Sequence, residues 1–430
     1  MNYRQAKTYL DQLQFFKIKL GLATTTSLLA ELGSPQDQLN IIHIAGTNGK
    51  GSVGANLVAI LSAAGYRTGF FSSPHLSSVR ERFRIGADYI PQTSFAQLVT
   101  RLQTFLADRP APTYFEFTTI LALLWFLEEK ADVVILETGM GGRLDATNVV
   151  TPLVSIITDI SHDHEQYLGT TLTAIAGEKA GIIKHKVPVV FSGRAPETVP
   201  VIKQRCLEKN SPLFMHGQNF SGHRNSNGTL DYCPINGSAR TNLPLMLAGA
   251  HQAINTSLAL AALELLESRF PVSRQQLIDG LQQVHWPGRM ELLTLDAQGK
   301  TVRFLLDGAH NQAGVAALHL ALTQGYPRKR LLLVWGNMLD KQIQPEMLHL
   351  MTLADDIIFT QAESQRSALP AALYAQLPEA VRAQARCADT VAQALEMVSA
   401  SAAPDDLICV TGSLYLVGRI RQLLQGELAP

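Results

Sequence analysis

The stretch Ile41 to Leu61, IIHIAGTNGKGSVGANLVAIL, constrains this chain more than any other. A β-branched apolar run enters Gly46-Thr47-Asn48-Gly49-Lys50-Gly51-Ser52, and a helix-period pattern follows. A buried strand that passes through a glycine loop into a helix opens a βα unit. Glycines let the backbone wrap phosphate oxygens. The helix N-terminus offers free N–H groups and the positive end of its dipole, and Lys50 adds a point charge. The usual phosphate loop has four residues between its first glycine and Gly-Lys, then Ser or Thr directly after the lysine. Here only Thr47 and Asn48 intervene, and Gly51 separates Lys50 from Ser52. The spacing predicts a phosphate site of another kind; the bland alternative is a strand-to-helix turn with a solvated lysine.

The same alternation continues. NIIHIAG, TGFFSS, ADVVILETG and TPLVSIITDI read as buried strands ending in polar, glycine-bearing turns. Amphipathic stretches such as SVGANLVAILSAAG and FEFTTILALLWFLEEK lie between them. The pattern predicts a doubly wound, mainly parallel α/β sheet with ligands beyond the carboxyl ends of its strands. Residues 217 to 243 are rich in Asn, Gly and Ser and predict hairpins or a surface insertion. A second α/β series follows: VRFLLDGAHN, RLLLVWGNM, DDIIFTQ and DDLICVTGS. A chain of 430 residues is long for one core. We place the boundary at Pro287-Gly288, giving domains 1–287 and 288–430.

Formal net charge is zero, which argues against a broad nucleic-acid or anionic-membrane surface. The apolar run Ile120 to Leu127 is far shorter than the roughly 20 residues of a membrane helix. The polar start MNYRQAKTYLDQLQFF is unlike a signal peptide. Cys206, Cys233, Cys387 and Cys409 are scattered without a Cys-x-x-Cys pair, as expected of reduced thiols in a cytoplasmic protein.

Other motifs carry open alternatives. Ser73, in SSPHLSSVRERFRIG, is either a magnesium ligand or part of a Ser-Pro turn. Thr113 and Glu116 have capping-box spacing, and Tyr114 and Phe115 beside them could line an aromatic pocket. Glu137 ends a strand beside Gly139, Gly141 and Gly142, with Arg143 and Asp145 adding charge. His162, Asp163 and His164 end the next strand, and imidazoles in that cluster suggest zinc or a catalytic base. Lys179 reads as a surface lysine from its spacing. Asp307, His310 and Asn311 end a strand of the second series, and Arg289 stands at the boundary.

Together these stretches resemble the folylpolyglutamate synthase/dihydrofolate synthase family of the Mur ligase superfamily. The matching segments are HIAGTNGKGS, SSPHL with ERFRIG, YFEFTT, LETGMGGRLDATNVVTP, DHEQYLGTTLTAIAGEKAGIIK, HQAINTSLA, PGR, DGAHN, GNMLDK and TGSLYLVGRI. They span nearly the whole chain. GTNGKGS and EKAGIIK are the specific ones. The resemblance implies a Mur-type ATPase domain followed by a Rossmann-like ligase domain. It implies ATP-dependent addition of L-glutamate to dihydropteroate and to tetrahydrofolate and its polyglutamates, through an acyl phosphate. It assigns the ATP contacts to Gly46, Thr47, Asn48, Gly49, Lys50, Gly51, Ser52, Asn255, Arg289 and Asp307. Ser73, Glu137 and His164 become magnesium ligands, which overrides zinc, and two ions are implied. Lys179 matches a lysine that the family carbamylates with carbon dioxide, which organises the second ion. His310 falls near the reacting phosphate. Thr113, Tyr114, Phe115, Leu144, Asp145 and Ala146 match the dihydropteroate pocket. A monomer without nucleic-acid or membrane partners is expected.

Two departures stand out. KLGLATTT lacks the Glu-Arg pair that follows LGL in bifunctional bacterial members, and Gln342 stands where an acidic residue is common. The alternatives are a monofunctional folylpolyglutamate synthase, another Mur-type amide ligase, and a nucleotide-binding protein without catalysis. A ligase for UDP-linked precursors would carry a further N-terminal domain, for which a loop starting at residue 46 leaves no space.

Overall fold

The computed structural model describes residues 1–13, 21–297, 300–339, 343–362 and 367–426. Gln342 and the Lys19-Leu20 start of KLGLATTT lie outside the described residues.

The four strands expected in the first half all form, and they lie side by side. The eight-stranded sheet runs Asp88–Tyr89, Phe83–Ile85, Thr68–Phe71, Val133–Glu137, Ile41–Ala45, Val154–Ile157, Val189–Phe191, Leu213–Met215. The strands from Thr68–Phe71 onward are parallel, and the two at the near edge are antiparallel. Every residue of Ile41–Ala45 and Val133–Glu137 is buried. Strand periodicity then sends neighbours to opposite faces. Ile42, Ile44, Val133 and Ile135 pack with Leu57, Ile60 and Leu260 of the helices Lys50–Ala63 and His251–Leu265. Ile41, Val134 and Leu136 pack on the other face with Phe117, Leu121 and Phe126 of the helix Tyr114–Glu128. Helices on both faces explain why these strands are apolar throughout.

Residues 217 to 243 contain a small antiparallel sheet, Ser221–Arg224, Leu230–Cys233 and Arg240–Leu243. Leu230, Tyr232 and Leu243 bury against the helix His251–Leu265. The second sheet runs Glu291–Ala297, Lys300–Leu306, Leu407–Thr411, Leu331–Trp335, Asp356–Phe359, Ala385–Cys387, and only its first pair is antiparallel. The loop at Leu76-Ser77 presses on the helix Leu414–Gln425, and Ser77 Oγ donates to the Gly418 carbonyl at 3.0 Å. A Cβ on Gly418 would stand 2.0 Å from the Leu76 oxygen, so only glycine fits at this contact. Among the described residues, no helix is long and apolar enough to cross a membrane.

Candidate active site

The glycine loop follows the central strand Ile41–Ala45, at its carboxyl end. It is held from several sides. Thr47 N donates to the Asp159 carbonyl at 2.6 Å, and Thr47 Oγ1 donates to the Ser161 carbonyl at 3.0 Å. Thr158 Oγ1 donates to the Asn48 carbonyl at 2.7 Å. Gly49 has φ +91, a left-handed conformation, and a Cβ there would stand 2.5 Å from Asn255 Oδ1. A Cβ on Gly51 would stand 2.7 Å from the Trp286 indole. This contact accounts for the extra glycine after Lys50. Below the loop, Gln252 Nε2 donates to Ser52 Oγ at 3.2 Å and Asn255 Nδ2 donates to Gln252 Oε1 at 2.9 Å. Lys50 Nζ donates to the Gly46 and Thr47 carbonyls at 3.0 and 3.3 Å.

Glu137 ends the adjacent strand and is buried. Its Oε1 lies 3.9 Å from Lys50 Nζ, and its Oε2 accepts from Ser73 N at 3.3 Å. Burial pushes its pKa up, while Lys50, the Ser73 N–H and the Arg289 and Arg82 charges oppose the rise. Such a carboxylate lacks a full counter-charge. A magnesium ion, which takes one or two carboxylates and keeps waters, fits this donor set. His164 sits differently: it is exposed, at φ +50, and its N–H donates to Asp163 Oδ1 at 2.9 Å. His162 Nδ1 is 2.9 Å from Glu165. Among the described residues, no three His, Cys, Asp or Glu side chains converge as a metal group.

Lys179, which spacing alone makes a surface residue, is buried at 2 % exposure. It ends the helix Leu172–Lys179, whose start is capped by Thr171. Arg143 N donates to the Glu178 carbonyl at 2.7 Å, and the Arg143 guanidinium pairs with Glu178 at 2.7 Å. Gly142 sits so close that a Cβ would meet the Glu178 oxygen at 2.9 Å. The GMGGR loop therefore clamps the end of the helix. Burial and then the Lys50 charge lower the Lys179 pKa to about 7, against Asp163, Asp145 and Asp159.

Second-half residues reach the same place. His310 Nδ1 lies 2.8 Å from the Gly308 carbonyl and must carry the proton to donate there; its Nε2 is 3.7 Å from Asp163 Oδ2. Asn311 caps the helix Gln312–Gln324 through Gly314 N, and its Nδ2 donates to Asn48 Oδ1 at 3.1 Å and Asp163 Oδ2 at 3.2 Å. Asp307 accepts from Met290 N at 2.8 Å, next to half-buried Arg289, and from Ala309 N at 3.0 Å in its own turn. Burial raises the Asp307 pKa, opposed first by Arg289.

The Thr113 capping box forms, with both of its hydrogen bonds. Tyr114 lies under Arg82, 5.3 Å from guanidinium to ring centre. The Phe115 ring packs where a Gly139 Cβ would stand, 2.6 Å away. Asp145 is buried between Leu144 and Ala146. Its Oδ1 accepts from Thr147 N and Oγ1 at 3.0 and 2.6 Å, and its Oδ2 accepts from Met140 N at 2.8 Å. Asp145 therefore organises its own loop. Sequence reasoning gave no role to Asp163, Asn311, Gln252 or Trp286; the first two lay inside motifs already marked.

A cleft of about 460 Å³ lined by Thr323, Tyr326, Arg328 and Asp355 lies elsewhere, before the strand Leu331–Trp335. It is at an amino-terminal edge, whereas ligands of such sheets sit at carboxyl ends.

Residues 44–263 match the Mur ligase middle domain and residues 288–414 match the Mur ligase glutamate ligase domain. The chain is 33 % identical over 440 residues to the Bacillus subtilis dihydrofolate synthase/folylpolyglutamate synthase, covering 98 % of this chain and 99 % of that one. The chain belongs to this family of Mur ligases. Its members are ATP-dependent amide ligases. Solved structures of the family superpose closely. E. coli FolC in complex with DHPP and ADP has a TM-score of 0.87 at 30 % identity, covering 98 % of this chain and 97 % of that one. A bifunctional folylpolyglutamate synthase/dihydrofolate synthase with Mn, AMPPNP and L-glutamate bound has a TM-score of 0.86 at 30 % identity, covering 97 % and 98 %.

Proposed function

We propose that this folylpolyglutamate synthase relative joins L-glutamate both to dihydropteroate and to tetrahydrofolates, activating the acceptor carboxylate as an acyl phosphate. The observation that carries the reading is the convergence of Lys50, Glu137 and buried Lys179 on one loop, with His310 and Asn311 brought against it from the second sheet. A carboxylate repels nucleophiles and has no good leaving group. Transfer of the ATP γ-phosphoryl group to its oxygen supplies one. The glutamate amine then attacks the carbonyl carbon, and phosphate leaves. Lys50 would exchange its two carbonyl partners for phosphate oxygens, beside the N–H groups of Gly49, Gly51 and Ser52. Asn48, Asn255, Arg289 and Asp307 would hold the nucleotide from both sides of the cleft. Glu137 and Ser73, with His164 brought in, would hold magnesium, and Lys179 as its carbamate would hold a second ion. Bound magnesium spreads the charge that builds on the transferring phosphoryl group. His310 would face that group. Thr113, Tyr114, Phe115, Leu144, Asp145 and Ala146 would form the dihydropteroate pocket. The Mn, AMPPNP and L-glutamate of one family structure and the DHPP and ADP of another support these ligand classes. We take the domains as 1–287 and 288–430.

Bifunctionality is tested by glutamate-dependent ADP release with each acceptor separately. Turnover of both is expected. Turnover of tetrahydrofolate alone would leave the monofunctional reading.

The position of Arg289 gives a second prediction. Its charge already reaches Glu137 from beyond the proposed boundary. Nucleotide held by both Lys50 and Arg289 draws the halves together. Scattering should show a smaller radius of gyration with AMPPNP, magnesium and acceptor. Arg289→Ala should raise the KM for ATP about tenfold or more, as expected on losing a charged hydrogen bond. An unchanged radius together with wild-type kinetics of Arg289→Ala would refute closure through this residue.

A further inference from the structure

Arg82 belongs to the ERFRIG segment, which has no role in the assignments above. It ends a short helical turn, Val79–Arg82, and is only 6 % exposed. Its Nε donates to His75 Nδ1 at 2.9 Å, and its guanidinium lies over Tyr114. Burial keeps the His75 imidazole neutral, with its pKa pushed well below the usual range, so it serves as an acceptor. Among the described residues, no carboxylate lies within 4.0 Å of the guanidinium, and its two terminal nitrogens make no hydrogen bond. Three other arginines behave differently. Arg330 and Arg421 pair with Asp406 and Glu291, and buried Arg80 donates to the Ile90 carbonyl. A buried, permanent cation whose nearest opposite charge stays out of hydrogen-bond reach is costly unless a ligand completes it. The placement says which ligand. One side of Arg82 is taken by the ring of Tyr114, in the pocket segment Thr113–Phe115. Its charge is also felt at Glu137. It therefore touches a residue of the proposed pterin pocket and acts electrostatically on the proposed metal carboxylate.

We infer that the free edge of Arg82 receives a carboxylate of the pterin acceptor in a two-pronged hydrogen bond. The inference rests on the proposed function. A guanidinium fork matches a carboxylate in shape, and an ammonium does not. Two carboxylates are candidates. Dihydropteroate has only the aryl carboxylate that reacts. A tetrahydrofolate has the reacting γ-carboxylate and an α-carboxylate beside it. His75 and Tyr114 set the plane of the fork in either case.

The test compares wild type, Arg82→Lys and Arg82→Gln in glutamate-dependent ADP release, with dihydropteroate and tetrahydrofolate measured separately. Calorimetry of tetrahydrofolate binding and the KM for ATP are recorded beside them. The acceptor KM should rise about tenfold to a hundredfold in Arg82→Gln, as for a lost charged hydrogen-bond pair, with a smaller rise in Arg82→Lys. The KM for ATP should stay within about twofold, because its phosphates are assigned to the Lys50 loop. A rise with both acceptors assigns Arg82 to the reacting carboxylate; a rise with tetrahydrofolate alone assigns it to the α-carboxylate. Arg82→Lys serves if Arg82→Gln fails to fold. Folded variants with wild-type acceptor KM and calorimetric affinity for both acceptors overturn the inference. So does a parallel loss in every parameter, ATP included, which marks a structural arginine. Wild type that turns over neither acceptor defeats the proposed function itself, and this inference with it.

Discussion

Lys179→Met should abolish ligation and, compared with carbon dioxide-free wild type, stabilise the fold at neutral pH. Lys179 is buried, and its pKa is depressed from 10.5 to about 7. In the unfolded chain it is protonated up to about pH 10.4. Between those values the unfolded state binds the extra proton, so this group's contribution makes stability rise with pH through that window. Its cost is complete below about pH 7, where a cation must be buried, and is on the order of a few kcal/mol. Methionine removes that cost and keeps most of the volume. The same depression leaves a large neutral fraction near pH 7. A neutral amine attacks carbon dioxide, forms an N–C bond and releases one proton, and the product is an anion. We therefore expect carbon dioxide-free enzyme to regain activity on adding bicarbonate, less completely as pH falls below about 7. Lys179→Met should lose about a hundredfold or more in kcat, the scale of removing one charged group from a transition-state site. Thermal midpoints and ADP release are the measurements. An active Lys179→Met would dismiss the carbamate, and a lower midpoint at pH 7 would contradict the buried-charge argument.

Glu137→Gln should give the second large effect. The amide keeps the shape and can still accept from Ser73 N, but it cannot neutralise a divalent cation. Turnover at millimolar magnesium should fall about a hundredfold or more, and the magnesium titration should shift to higher concentration. The fold should survive: burial already raises the Glu137 pKa, and its Lys50 contact is long, at 3.9 Å. A midpoint at or above wild type with activity lost is the expected pair. Wild-type turnover at ordinary magnesium would remove Glu137 from the metal site.

The strands were legible because both faces of the sheets are covered, so each strand is a short apolar run bounded by glycine or a charged turn. The Thr113–Glu116 cap was legible because its partners lie within one helical turn. Lys179 was not. A lysine at a helix end looks solvated until the GMGGR loop, more than thirty residues earlier in the chain, is folded over it. Only the family resemblance pointed to it. Asp163 and Asn311 were both marked at strand ends, but their contact was not legible, because it joins residues 148 positions apart. Asp145 went the other way. The resemblance places it in the dihydropteroate pocket, and the structure adds that its oxygens already hold the loop together through Met140 and Thr147. A sequence shows that a polar group is present but not whether its neighbours have already satisfied it.

Trp286 roofs the start of the helix Lys50–Ala63 and also lies two residues before Gly288, which holds φ +69. Its ring is wedged between Gly51, Phe70 and Arg84. A close-packed contact yields only by tenths of an ångström before its parts must travel together. A larger shift of Gly51 would therefore press on the indole. The indole is tied by two peptide units to the segment that leads into the second sheet. The odd glycine after Lys50 thus makes room for a ring that bridges the start of this helix and the segment leading into the second sheet.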